Sequence, residues 1–371
     1  AVADRDPALD LVAPAPASPT AATGLGVAPE PVPVTPGPID LPPAVTERRA
    51  RSTFVGREQQ LDALDRVWQA VRSGERRFVT LSGEPGMGKT RLAQVFSQRV
   101  HDAGGHVLWG RCTAENLVAY QPAAEALRTA LRSVNPDILR SIVEPRPALR
   151  LLLPTDDLAD PAETATDAGR YDLYEALVEV LGDVATSAPI VYVIDDIQWA
   201  DRSTLALVEH LIRQDRTGRL LVVATVRCPA GRATPDLDRF LTDLRRDGRL
   251  DLIEVGGMST DDVAELLAGR GVTDAADLAE SLRDRTGGNP FFLESLAEHG
   301  ADSPDLSGRD LPTSVRDLID QRVDALAPDI ARVLTAAAII GMRVDLDLLG
   351  AVADLDIDEL LDVVDVAVEA G

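Results

Sequence analysis

The 371-residue chain carries 61 acidic against 37 basic side chains, a formal net charge of −24. That balance argues against direct binding to DNA or to an anionic membrane surface by these residues taken together. No apolar run nears the roughly 18 residues a membrane span needs, and two cysteines, Cys112 and Cys228, are too few for a disulfide framework.

Neither cysteine has zinc-ligand companions, so both are expected as buried free thiols in a reducing, cytoplasmic setting. The start of the chain, Asp4, Arg5 and Asp6 followed by alanines and prolines, lacks the apolar core of a signal peptide. The absence of an initiator methionine suggests an excised piece. One compositional detail outweighs the averages. Of the 37 basic residues 36 are arginine, and the single lysine is Lys89. A lone ammonium in such a background suggests a task that a guanidinium cannot perform.

Residues 1–50 hold 11 of the 25 prolines among Ala, Val and Thr, a composition that cannot offset its ordering entropy, so an extended, disordered linker is expected. Next, Phe54-Val55-Gly56-Arg57-Glu58 leads into a helix with Leu61, Leu64, Val67, Trp68 and Val71 on one face. Five short apolar runs then predict buried strands at Phe78–Leu81, Val107–Trp109, Ile190–Ile194, Leu220–Val226 and Leu252–Val255. Helical patterns separate them, which predicts an α/β fold with a parallel, doubly wound sheet. The second and third strands lie far apart, so helices such as Ala123–Ser133 and Tyr171–Leu181 must fill an insertion, with a Pro- and Asp-rich loop near Pro154–Asp167. The remainder reads as helical: Thr260–Gly269, Ala275–Arg285, Pro290–His299, Thr313–Leu326, Asp329–Ile340 and Asp358–Val368.

Gly83-Glu84-Pro85-Gly86-Met87-Gly88-Lys89-Thr90 fits GxxxxGK[ST], follows a predicted strand and opens a helix that continues through Arg91 with Leu92, Phe96 and Val100 on one face. Its glycines let the backbone wrap a phosphate with N–H groups inward, at the positive end of a helix dipole. Lys89 can bring a compact charge to β- and γ-phosphates, and the Thr90 hydroxyl can complete a Mg²⁺ shell. The expected ligands are therefore ATP or ADP with Mg²⁺.

The second half of such a site is an acid at a strand end. Ile190-Val191-Tyr192-Val193-Ile194-Asp195-Asp196 supplies two, where open α/β sheets bind ligands. Asp195 would hold Mg²⁺ through water, and Asp196 would orient an attacking water. The competing account makes the pair caps of the next helix, a role for which Asp201 is an equal candidate. Arg227, ending the fourth strand, is placed to contact the γ-phosphate and report its presence, or else is a surface arginine paired with a carboxylate. Gly287-Gly288-Asn289-Pro290 alone is a turn with a helix-starting proline.

With these motifs assembled, the chain resembles the ATPase core of STAND-type signalling proteins, and more narrowly the AAA-like P-loop modules of actinobacterial transcriptional regulators. The resemblance runs from Phe54-Val55-Gly56-Arg57-Glu58 through the P-loop and Asp195-Asp196-Ile197-Gln198-Trp199-Ala200-Asp201 to Gly288-Asn289-Pro290 and Leu311-Pro312-Thr313-Ser314-Val315-Arg316. It spans about residues 52–371. Two regulator families carry such a module, the large LuxR-type regulators and the Streptomyces antibiotic regulatory proteins (SARPs). Asp6-Pro7-Ala8-Leu9-Asp10 before a Pro-rich linker resembles the end of a bacterial transcriptional activation domain and favours the SARPs.

After the linker over 1–50, the resemblance implies a P-loop nucleotide-binding domain over 51–256, a helical lid over 257–302 and a truncated winged-helix-like region over 303–371. That last region has 16 acids against 5 arginines from residue 301 on, which argues against DNA reading. Val55 and Arg57 would line the adenine side, Pro290 of Gly288-Asn289-Pro290 would bring the lid onto the base, and Arg227 would be the sensor arginine. The implied function is an ATP-binding, slowly hydrolysing switch of a transcriptional activator of antibiotic biosynthesis. DNA and RNA polymerase would be engaged only through domains absent from this chain, ATP would drive self-association, and no membrane is involved. The competing function is a turnover enzyme such as a P-loop kinase. The insertion offers Arg128, Arg132, Arg140, Arg146 and Arg150 but no acceptor signature. A degenerate scaffold is disfavoured by the presence of Lys89, Thr90 and Asp195.

Overall fold

The computed structural model describes residues 39–46, 54–114, 119–132, 136–153, 167–214, 218–227, 234–272, 275–300, 323, 326–341 and 344–369. Helix α1 (Pro43–Thr46) precedes α2 (Glu58–Arg72), β1 (Arg76–Gly83), α3 (Lys89–Asp102) and β2 (His106–Arg111). The insertion follows with α4 (Gln121–Leu131), α5 (Pro136–Val143) and α6 (Asp167–Ser187). Then come β3 (Ile190–Asp195), α7 (Arg202–Arg213), β4 (Leu220–Arg227), α8 (Pro235–Arg246) and β5 (Leu250–Glu254). The strands form one parallel sheet, as the apolar runs predict, in the order β2-β3-β4-β1-β5; the expected burial of the fifth run needs correcting, since β5 lies at the edge with Leu252 53% exposed.

Strands β1 to β4 are buried on both faces because each face has its own core. Side chains alternate along a strand. Ile190, Tyr192 and Ile194 of β3 therefore join Leu220, Val222 and Ala224 of β4 under α4, α6, α7 and α8. Val191 and Val193 join Leu221 and Val223 against α2 and α3 on the opposite face. Aromatic rings wedge the layers: Phe78 meets Phe240 edge-on at 5.2 Å, and Trp68 meets Phe96 at 6.4 Å. Gly110 of β2 is required by close approach, because a Cβ there would lie 2.1 Å from the Pro122 carbonyl oxygen at the start of α4.

Helices α9 (Thr260–Gly269), α10 (Ala275–Thr286) and α11 (Pro290–Gly300) follow the sheet. Val263, Leu266, Leu282 and Leu293 form a small core that also takes in Val55 and Met258. Further on, α12 (Pro328–Ile340), α13 (Leu346–Ala353) and α14 (Ile357–Glu369) pack on one another through Val333, Leu349 and Leu360. Helix α13 is an addition to the predicted elements. Among the described residues, no helix is long and apolar enough to cross a membrane.

The expected linker needs correcting at its end. Ile39 and Val45 are buried, Val45 in the core that holds α3, and the Ala44 carbonyl accepts a 2.8 Å hydrogen bond from Gln94. Two prolines at 42 and 43 restrict the chain beforehand, and Pro43 opens the helix, so a few buried side chains suffice to order it. Residues 1–38, residues 154–166 of the expected loop, Leu311–Arg316 and nearly all of the Thr313–Leu326 helix lie outside the described residues, as does Cys228.

Candidate functional site

The loop after β1 turns on two glycines with left-handed backbone, Gly86 and Gly88, each at φ +86°. An L side chain adopts that region at a cost, so the tight wrap demands glycine. Gly88 is the N-cap of α3, so the helix begins at Lys89 with its N–H groups and its positive dipole end facing the loop. Lys89 is only 7% exposed, and its ammonium donates to the carbonyls of Gly83 at 2.6 Å and Glu84 at 2.7 Å. The lone lysine thus stands inside the loop.

Strand β3 delivers Asp195 and Asp196 beside the loop. Asp195 is buried, and its Oδ1 accepts from the hydroxyls of Thr90 at 2.8 Å and Thr225 at 2.7 Å. Asp196 has φ +59°, a left-handed turn that bends the chain off the strand. Its N–H donates to Thr225 Oγ1 at 2.8 Å, so one β4 threonine orients both acids. The capping alternative goes to Asp201, which accepts from the N–H groups of Ser203 at 2.8 Å and Thr204 at 3.0 Å. Asp201→Ala is expected to cost about 0.5–2 kcal/mol in urea unfolding while nucleotide affinity stays unchanged.

Asp196 instead faces arginines. Arg111, at the end of β2, places Nη2 3.1 Å from Asp196 Oδ2 and Nε 4.0 Å from Asp195 Oδ2. Arg227 places Nε 3.6 Å from Asp196 Oδ1, which also accepts from Gln198 at 2.9 Å. Arg227 is thus paired with a carboxylate, as the surface-arginine account has it, and it also lines the cavity.

That cavity measures about 630 Å³. Its polar end is formed by Pro85 through Arg91 together with Arg111, Asp196 and Arg227. Phe54, Val55, Met258, Leu266, Pro290 and Phe291 also line the cavity, together with Arg57, Arg270 and Glu294. A space that joins a glycine-turned loop and a lysine to apolar side chains suits a nucleotide. Gly83, Glu84 and Asp195 stand behind the wall, the first two through the carbonyls that hold Lys89. Thr90 and Asp195 fit a hydrated Mg²⁺, because a hydroxyl and a carboxylate already converge at 2.8 Å on the cavity's phosphate side. Among the described residues no three His, Cys, Asp or Glu gather to hold a metal on protein ligands alone.

Helices α9 to α11 close over the loop by specific contacts. Asn289 donates from Nδ2 to the Pro85 carbonyl at 3.0 Å, and its Oδ1 caps α11 through the Phe291 N–H at 3.0 Å. A Cβ on Gly86 would stand 2.6 Å from that same Oδ1. Arg57 is buried and donates to the carbonyls of Met87 at 3.0 Å and Gly256 at 2.7 Å. Burial lowers its pKa and nearby Asp262 opposes that, so the guanidinium acts as a charged strut between the loop and the segment entering α9. Cys112 is buried as expected, its thiol pushed up to about 12 by burial and by Asp201, Asp196, Asp195 and Glu125, which leaves it inert at neutral pH.

Arg111, Thr225 and Gln198 were not singled out from the sequence. Arg111 carries the same signal as Arg227, a cation ending an apolar run at the sheet's C-terminal edge. Thr225 carries no such signal, since a threonine inside a strand looks like any β-branched residue.

Residues 53–223 match the AAA ATPase domain family. A curated relative, Uncharacterized protein R02095 of Rhizobium meliloti (strain 1021), is 23% identical over 338 residues, 82% of this chain. The chain spans about a third of that relative's length, the match covering 31% of it. Among solved structures, the Walker-type ATPase PABY2304 of Pyrococcus abyssi is similar at TM-score 0.52 and 13% identity, over 84% of this chain and 92% of that one. The Signal Transduction ATPase with Numerous Domains (STAND) protein PH0952 of Pyrococcus horikoshii, which has a tetratricopeptide repeat sensor, gives TM-score 0.39 and 14% identity over 84% of this chain and 38% of that one. The family match falls on the strand–loop–helix and the acidic strand described above, and the chain has a P-loop NTPase fold.

Proposed function

We propose that this chain is an ATP-dependent regulatory switch that hydrolyses ATP slowly. In hydrolysis a water oxygen attacks the γ-phosphorus, the bond to the β–γ bridging oxygen breaks, and ADP leaves with phosphate as the second product. The loop N–H groups and Lys89 hold the phosphates, Thr90 and Asp195 would hold Mg²⁺, which would neutralise phosphate charge when bound, and Asp196 orients the water. Val55, Arg57 and Pro290 serve the base end, and Arg227 reports the γ-phosphate. Nucleotide-binding residues 51–256 and lid residues 257–302 are then the two bodies of the switch.

The observation that carries this reading is the Asn289–Pro85 clasp between α11 and the phosphate loop. A ligand seated on that loop acts directly on the contact holding the helices, and it shifts their position by its differential affinity for the two arrangements. Slow turnover is expected because the Asp196 carboxylate, one methylene shorter than that of a glutamate, reaches less far toward an attacking water. The resemblance to SARP and large LuxR-type regulators makes control of transcription, of antibiotic biosynthesis in particular, the output, exerted through further domains and through ATP-dependent self-association.

Small-angle and light scattering with ADP and with a non-hydrolysable ATP analogue test the switch, alongside phosphate release. Distinct profiles for the two nucleotides and fewer than about one turnover per second are expected, below the range typical of enzymes. Superimposable profiles would remove the switch, and rapid turnover would favour the enzyme reading.

A further inference from the structure

Asp196 is gripped from both sides by strand ends. Arg111 reaches its Oδ2 at 3.1 Å from β2, and Arg227 reaches Oδ1 at 3.6 Å from β4. Both arginines line the cavity with Lys89 and Thr90. The phosphate side of the cavity thus sets Lys89, Arg91, Arg111 and Arg227 against Asp195 and Asp196, an excess of two positive charges that an anionic ligand would offset.

We propose that Arg111 is a second γ-phosphate contact, acting with Arg227, and that its transfer from Asp196 to the phosphate frees Asp196 Oδ2 for water. The inference rests on the ATP reading above. Its backbone is fixed for the role. Arg111 pairs in register with Asp195, its N–H donates to Glu125 of α4 at 2.9 Å, and Gly110 lets α4 abut the strand immediately before it. Its side chain is 58% exposed, so the ion pair with Asp196 is a weak one to leave. A γ-phosphate offers a doubly charged partner with geometry that suits a guanidinium fork. ADP lacks the group that would draw Arg111 away.

The test is calorimetry on the full chain with Mg²⁺, using ADP and AMP-PCP, for wild type, Arg111→Ala, Arg111→Lys, Arg227→Ala and the double alanine variant. Arg111→Ala is expected to leave ADP affinity within about two-fold and to weaken AMP-PCP about ten-fold or more. Arg111→Lys should recover part of that loss, since an ammonium supplies charge without the fork, and the double variant should bind AMP-PCP no better than ADP. The thermal midpoint of the nucleotide-free Arg111→Ala protein should match wild type. Unchanged AMP-PCP affinity in Arg111→Ala would reduce Arg111 to a counter-ion of Asp196. Equal weakening of both nucleotides would make its role structural, and either result overturns the proposal while leaving the ATP reading standing. Failure of wild type to bind either nucleotide would overturn both.

Discussion

Lys89→Ala is expected to weaken ATP binding by about 2–4 kcal/mol, a roughly 30- to 1,000-fold rise in Kd. The reason is local. The ammonium sits inside the phosphate loop, held by the Gly83 and Glu84 carbonyls, where a ligand phosphate can replace them as partner. Alanine removes the charge and leaves the loop N–H groups as donors to the β-phosphate. Arginine is a poor substitute because its planar fork needs space that a residue 7% exposed does not have. Calorimetry with ATP and ADP reads the effect. Unchanged affinity would sink the phosphate-site assignment outright, because the chain has no other lysine to take over.

Phe78→Ala is expected to cost about 3–5 kcal/mol of stability, a large part of the roughly 5–15 kcal/mol a domain possesses. Phe78 lies in the middle of β1 with no exposed surface, edge-on to Phe240 of α8, so truncation leaves a cavity between sheet and helix. The same strand runs straight into the phosphate loop, which couples packing to function. Urea unfolding should show a lower midpoint at an unchanged slope. Saturating nucleotide should restore about 2.7 kcal/mol at a hundred-fold excess over Kd, because it binds only the folded loop. A midpoint within 1 kcal/mol of wild type would mean that the α8 layer yields and fills the gap.

Most of the polar end of the candidate site is legible in the sequence. A phosphate loop is a local object: eight consecutive residues set its turn, its charge and its helix start, so Gly86, Gly88, Lys89 and Thr90 stand where the motif places them. The acidic pair was legible for a related reason, since five apolar residues define the strand and the next two must emerge at its C-terminal edge. Strand identity needed little more than hydrophobic runs, because strands buried on both faces read as nearly continuous apolar stretches. The linker reading failed at residues 39–46 where composition, an average over 50 residues, hid Ile39 and Val45, which the sheet's two cores take up.

Tertiary structure alone decided what surrounds those motifs. Arg111 and Arg227 lie 116 positions apart and meet on one carboxylate only because the order β2-β3-β4 puts their strand ends on either side of Asp196. Thr225 became the group that orients both acids through strand adjacency that no local pattern encodes. Asn289, 204 residues from Pro85, turned from a helix-starting turn into the clasp on the phosphate loop. Local chemistry is written in neighbouring residues and can be read there. Partnership between distant residues depends on strand order and helix packing, which follow from burying the whole chain at once, so the ion pairs and the clasp emerge only with the fold.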